Sequence, residues 1–182
     1  MTDTVRLATL ADEDNIMQLL GIMHAESGMM PLDEMRAREM FQRAFYKKGA
    51  TIGVIGEVGD IKAMICLLIS QFWYTDRFHL EEIFNFIRPD QRDAKSNYAV
   101  KMIQFAKRCS KEAKLPLVIG VLTNKRVEGK VRLYRRNLGY PAGAVFVYNT
   151  PWINEPSGKD FWRKPFPGNA NHLDGGEEIV HG

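Results

Sequence analysis

Cysteine is nearly absent. The 182-residue chain has two, Cys66 and Cys109, and two isolated thiols make neither a disulfide framework nor a metal-ligand pattern. Reduced thiols in a cytosolic protein are the expectation. Histidine is sparse too: His24, His79, His172 and His181 show no paired spacing, so no metal site is expected. No apolar run approaches the roughly 18–20 residues that cross a bilayer. The strongest run, over 63–69, is the size of a strand. The opening MTDTVRLATL lacks the basic-then-apolar order of a secretory leader. One-sided charge is lacking too, since the formal net charge of +3 is too small to imply nucleic-acid binding by itself. No Ser-His-Asp or Cys-His arrangement and no internal repeat is apparent.

What is present is a globular composition, 45% hydrophobic and 26% charged, with length for one core and a tail. Alternation over 5–10 reads as a short strand. Asp12 stands at an N-cap position, and Ile16, Leu19, Leu20 and Met23 follow at helical spacing, so a helix is predicted over 13–27. A second helix buries Ala37, Met40, Phe41, Ala44 and Phe45 and stops at Gly49. A hairpin follows, over 51–58 and 62–72, turning at Gly59-Asp60. Strand 79–87 ends at Pro89. A long helix carries Ala99, Met102, Ile103, Ala106, Cys109 and Ala113 on one face and ends before Pro116. The near-continuous apolar run 117–123 suits a strand covered on both sides. A helix over 126–138 places Val127, Val131, Tyr134 and Leu138 on one stripe, and 143–149 is a last strand.

The order β-α-α-β-β-β-α-β-α-β predicts an α/β domain with a mixed central sheet flanked by helices, in which 79–87 and 117–123 are parallel neighbours. Six basic residues and one acid lie between Lys125 and Arg136. They read as a solvated helix face or as a contact for an anionic ligand.

Three segments carry a family resemblance. VRLATLADEDNIMQLL is similar to the opening strand and helix of the GNAT (GCN5-related) N-acetyltransferases. LEEIFNFIRPDQR resembles their central strand running into a Pro-x-x-Arg loop. VLTNKRVEGKVRLYRRNLGY resembles their closing segment, a strand ending at Asn and a helix with Leu-Tyr before Gly-aromatic: Asn124, Leu133, Tyr134, Gly139 and Tyr140. A narrower likeness is to GNAT-like proteins encoded by bacteriophages. The likeness covers roughly residues 5–149, so 1–149 is expected to be the acetyltransferase domain and 150–182 a Pro/Gly-rich arm.

The sequence departs from the family at the pyrophosphate loop. The family pattern is [Arg/Gln]-x-x-Gly-x-[Gly/Ala] before a helix; the corresponding stretch, Arg92 to Ala99, has no glycine. Registering the helix by its apolar stripe puts Ala99 on the final small position and Asn97 on the first glycine position, with Arg92 about two residues too far upstream. Counting from Arg92 instead puts Lys95 and Asn97 on the glycines and spoils the stripe. Burial of five apolar residues favours the first register.

The resemblance implies acetyl-CoA as co-substrate, held by Phe86 and Ile87 at the end of the central strand and by Arg92, Lys95, Ser96, Asn97, Tyr98 and Ala99. A helix N-terminus offers unpaired N–H groups to a pyrophosphate, and small residues let the backbone approach it. Asn124 is expected to hydrogen-bond the pantetheine arm. The attacking amine must lose a proton, and Glu81 is the expected base, sharing a face with Ile83, Asn85 and Ile87 if the strand alternates regularly. Glu82 then points away. Tyr134 is the expected donor to the CoA thiolate, since a phenol is protonated at neutral pH; a core tyrosine is the alternative.

The expected function is acetyl transfer to a primary amine, on a small molecule or a protein. The alternatives are a catalytically inactive GNAT-fold module, suggested by the glycine-free loop, and a tRNA-directed GNAT toxin, for which the net charge is small. Neither a membrane nor nucleic acid is the expected partner. The acceptor is expected to be set by residues about 23–35 and 72–78. Trp152, Phe161, Trp162 and Phe166 sit among four prolines in the arm, and they are expected to dock on the domain or on a second subunit of a homodimer.

Overall fold

The computed structural model describes residues 4–28, 30–92, 96–123, 126–143 and 145. Strand β1 is Arg6–Leu7, and a 3-10 turn over Leu10–Asp12 leads into helix α1, Glu13–Ser27. Helix α2 is Glu34–Phe45, β2 Ala50–Glu57, β3 Asp60–Gln71 and β4 Phe78–Ile87. Helix α3 is Tyr98–Ala113, β5 Leu117–Val118 and α4 Val127–Leu138. The expected closing strand 143–149 and the arm 150–182 lie outside the described residues, apart from Gly143 and Val145, neither of which is in a strand. No helix among the described residues is long and apolar enough to cross a membrane.

The helices form where the apolar stripes place them. In α1, Ile16, Met17, Leu19 and Leu20 are buried. The Asp33 side chain caps α2 by accepting the Arg36 N–H at 3.1 Å, and Phe41 is its fully buried anchor. Helix α3 is bounded by two left-handed residues, Asn97 at φ 53° and Lys114 at φ 55°. Its stripe of Tyr98, Met102, Ile103, Phe105 and Ala106 is buried.

The sheet has order β1-β2-β3-β4-β5. Every neighbouring pair is antiparallel except β4–β5, which is parallel, with Leu80 beside Leu117 and Glu81 beside Val118. A parallel pair needs a crossover, and α3 supplies it. The sheet therefore has a core on each face. Ile16, Leu20 and Phe41 pack with Val54, Met64, Cys66, Phe84 and Phe86 on the α1–α2 side. Tyr98, Met102, Phe105 and Ala106 pack with Ala63, Ile65, Leu67 and Leu80 on the α3 side. Burial pushes the Cys66 thiol up to about 12, so it behaves as an inert small hydrophobe.

The β2–β3 hairpin slips register between Ile55 and Gly56. Gly56 has φ +116°, and a Cβ there would collide with the Asp60 carbonyl oxygen. Gly56→Ala should cost about 2–3 kcal/mol, from backbone strain plus the displaced turn. The check is a lowered urea midpoint with an unchanged slope; an unmoved midpoint would mean that the turn relaxes freely.

A second irregularity positions the functional cleft. Between β3 and β4, Leu67 pairs with Glu82 and Cys66 with Phe84. Ile83 is thus an extra residue, a β-bulge. It inverts the alternation of β4: Leu80, Glu82, Asn85 and Ile87 lie opposite the α3-facing residues of β3, and Glu81, Phe84 and Phe86 on the other face. The expectation that Glu81 shares a face with Asn85 and Ile87 is therefore corrected; Glu82 does. Pairing with β5 is confined to the two residues before Glu82. The expected strand 117–123 is a strand only over Leu117–Val118, because the bulge bends β4 away and leaves the rest without a ladder partner.

Candidate active site

The divergence of β4 from β5 opens a cleft of about 990 Å³. Its walls are β4 from Glu81 to Ile87, the segment after β5 from Gly120 to Thr123, the end of α1, the start of α3 and one side of α4. Leu80 N–H bonds Pro116 O at 2.8 Å and Arg88 N–H bonds Lys62 O at 2.9 Å. With the bulge between them, the backbone groups of Asn85 and Ile87 turn away from β3, towards the cleft. The end of α1 is tied to the far wall by Ser27 Oγ and Thr123 Oγ1, 2.8 Å apart.

At the narrow end of the opening, α4 brings Tyr134 against Glu82. The Tyr134 hydroxyl lies 3.0 Å from Oε2 and 3.2 Å from Oε1 of Glu82, and Asn85 Nδ2 donates to the phenolic oxygen at 3.3 Å. Burial pushes the Glu82 carboxyl up to about 7, against the opposing pull of the Tyr134 hydrogen bond and the Lys130 ammonium. Burial, the Glu82 charge and the Glu82 hydrogen bond all raise the Tyr134 phenol. Lys130, one turn before Tyr134 on α4, is lowered mainly by burial, with Glu82 acting in the opposite sense.

At the other end, Asn97 stands before α3 with φ 53°. Asparagine adopts this left-handed geometry more readily than most residues. Asn97 O accepts the Lys101 N–H at 3.0 Å, and the first turn holds no acid. Ser96, Asn97, Tyr98 and Ala99 all border the cleft. Arg92 is otherwise engaged: NH1 and NH2 each lie 2.9 Å from an oxygen of Glu26, Nε donates to Ile87 O at 2.7 Å, and the guanidinium sits 4.7 Å from the Phe86 ring centroid.

The structure thus gathers Glu81, Phe86, Ile87, Arg92, Ser96, Asn97, Tyr98, Ala99 and Tyr134 around one cleft. Lys95 and Asn124 lie outside the described residues. Asn85, Lys130 and Glu26 were given no role by the sequence, and Glu82, the other candidate base, was expected to point away. Glu82 and Asn85 come together only through the bulge, whereas Lys130 was legible as the residue four before Tyr134. Among the described residues no group of three or more His, Cys, Asp or Glu is placed to hold a metal.

No family model matches the chain, and no curated protein matches it in sequence. Solved structures match its fold. An integron cassette protein from the mobile metagenome of Cole Harbour Salt Marsh aligns with a TM-score of 0.62 at 17% identity, covering 84% of this chain and 92% of that one. A predicted acetyltransferase from Clostridium acetobutylicum, solved with acetyl-CoA, aligns at 0.61 and 14% identity, covering 79% and 93%. A ribosomal-protein-alanine N-acetyltransferase from Brucella melitensis biovar Abortus aligns at 0.60 and 15%, covering 79% and 95%. The fold is that of the GNAT acetyltransferases: a mixed five-stranded sheet flanked by helices.

Proposed function

We propose that the chain is an N-acetyltransferase that moves an acetyl group from acetyl-CoA to a primary amine. The observation that carries this reading is the cleft between diverging β4 and β5, which borders both Tyr134 and the start of α3 on a GNAT fold. The pantetheine arm lies in the opening beside the free edge of β4, where the Asn85 and Ile87 backbone groups meet its amides. The pyrophosphate rests on the unpaired N–H groups at the start of α3, with the dipole favouring negative charge. Asn124 is proposed as a further contact to the arm, and Lys95 as a charge beside the phosphates.

The amine lone pair attacks the thioester carbonyl carbon. The C–S bond then breaks, its electron pair stays on sulfur, and the thiolate takes a proton from Tyr134. The nitrogen gives up its own proton to Glu81, which lies on the opposite face of β4 from Glu82 and still lines the cleft. The left-handed Asn97 gives the loop a glycine-like geometry without glycine, which an enzyme and an inactive CoA-binding module would share.

The direct test is a panel of amines incubated with acetyl-CoA, read by release of free thiol. Thiol release with at least one amine supports the reading; tight CoA binding without any release favours the non-catalytic module. The phosphate site has its own check. Ala99→Glu places bulk and negative charge in the first turn of α3 and should weaken acetyl-CoA binding about tenfold. Unchanged affinity by calorimetry would place the pyrophosphate elsewhere.

A further inference from the structure

The Tyr134 hydroxyl has one proton and two neighbours that both claim its geometry. Asn85 Nδ2 donates to the oxygen at 3.3 Å. The proton itself points at the Glu82 carboxylate, whose oxygens are 3.0 and 3.2 Å away. With Glu82 ionised, the phenol proton is committed to the carboxylate and is withheld from a thiolate in the cleft. With Glu82 protonated, the carboxyl donates to the phenolic oxygen and the phenol proton is released to point into the cleft.

We propose that Glu82 is the proton reservoir of Tyr134: as Tyr134 gives its proton to the departing thiolate, the Glu82 carboxyl passes its own to the phenolic oxygen. This rests on the acetyltransferase reading. The balance is complete. The Tyr134 O–H bond breaks and an S–H bond forms; the Glu82 O–H bond breaks and the Tyr134 O–H bond is restored. Glu82 is left as a carboxylate and takes a proton from water in the cleft before the next turnover.

A reservoir solves a problem that the site creates. A bare phenolate at Tyr134 is disfavoured by burial and by the adjacent carboxylate, so the phenol alone is a weak acid. A thiol ionises near 8.5, whereas Glu82 sits at about 7. Net proton transfer from Glu82 to the thiolate through Tyr134 therefore runs downhill. The charged and titratable groups bordering the same cleft are Lys130 and Arg136 from α4, Arg126 just before it, Arg92 from the segment before α3, Tyr98 from α3, His24 and Glu26 from α1 and Glu81 from β4 itself. Of these, Lys130 acts on Glu82 directly, drawing it down. Arg92 and Glu26 act on Lys130 in opposite senses.

The sign follows. The reservoir is loaded below the folded value of Glu82 and empties as pH rises through about 7. With saturating acetyl-CoA and an amine that the panel identifies, kcat of the wild type should fall through that range. Glu82→Gln should abolish the fall and lower kcat on its acid side about tenfold or more. Acetyl-CoA affinity, measured on the same variant, should stay within about twofold. A Glu82→Gln variant that keeps the wild-type profile overturns the relay alone. A wild type that binds acetyl-CoA yet releases thiol with no amine overturns the acetyltransferase reading, and the relay with it. Should Glu82→Gln fail to fold, infrared titration of the wild type and of Tyr134→Phe decides. A protonated carboxyl that titrates near neutrality and moves in Tyr134→Phe supports the relay, and its absence overturns it.

Discussion

Tyr134→Phe should lower kcat for thiol release about 100-fold and leave the affinity for acetyl-CoA within about twofold. The magnitude is the low end of what a positioned general acid supplies. The split between kcat and binding follows from where the hydroxyl acts, since it stabilises the leaving thiolate and does little for the bound thioester. The variant should remain folded. Phenylalanine fills the same space, and Tyr134 is one of two buried residues in α4, with Val131. The loss falls on two polar groups: Asn85 Nδ2 loses an acceptor and Glu82 its phenolic donor. In the wild type that donor draws the Glu82 carboxyl down. Without it the carboxyl rises further and becomes neutral, which removes much of the cost of leaving a charge buried. Thermal melting should therefore move little while turnover collapses. A kcat within about threefold of wild type would show that the thiolate finds its proton elsewhere, and would return Tyr134 to the role of a core residue.

How much of this site was legible in the sequence depends on which physical signal places each residue. The helix stripes were strong: α1 begins and ends at the expected residues, and α3 starts next to the residue the apolar register chose. That register also put Asn97 on a glycine position, and Asn97 has φ 53°, a left-handed geometry that glycine adopts at no steric cost. Tyr134 was singled out by the resemblance of its Leu133-Tyr134 segment, while its place on the α4 stripe spoke only for a core residue. The identity of its partner was not legible. Regular alternation along β4 makes Glu81 the neighbour of Asn85, and one extra residue at Ile83 hands that place to Glu82. A bulge needs no glycine and no proline, so nothing in LEEIFNFI announces it. The shortness of β5 has the same origin, because the apolar run after Val118 lines a cleft instead of a ladder. The engagement of Arg92 with Glu26 was equally hidden, since 66 residues separate them.

The Asp12 carboxylate shows how the fold holds the α1 wall of that cleft, and its removal should give the largest loss of stability. Asp12 is fully buried. Arg6 grips it from β1 with two bonds, NH1 to Oδ2 at 2.8 Å and NH2 to Oδ1 at 2.7 Å. Thr9 donates its amide to Oδ2 at 2.9 Å and its hydroxyl at 3.1 Å. Arg6 Nε in turn donates to Gly56 O at 2.9 Å, so one carboxylate joins β1, the start of α1 and the β2–β3 hairpin. From this anchor α1 runs to Ser27 and delivers Glu26 and Ser27 to the cleft. Asp12→Ala leaves a guanidinium and an amide without their partner. Breaking a buried pair costs about 3–5 kcal/mol, and the part of Arg6 that reaches water favours the lower end, about 3 kcal/mol. The pH dependence carries the sign. Burial alone would raise the Asp12 carboxyl, but the hydrogen bonds from Arg6 and Thr9 outweigh it and hold the carboxyl below its ordinary 3.8. Its contribution is therefore fully present above that ordinary value and is lost as pH falls through the lower, folded value. Urea unfolding should show wild type and Asp12→Ala about 3 kcal/mol apart at neutral pH, and converging only in strong acid. A gap under about 1 kcal/mol at neutral pH, or one that does not narrow in acid, would mean that the carboxylate is not what holds α1 to the sheet.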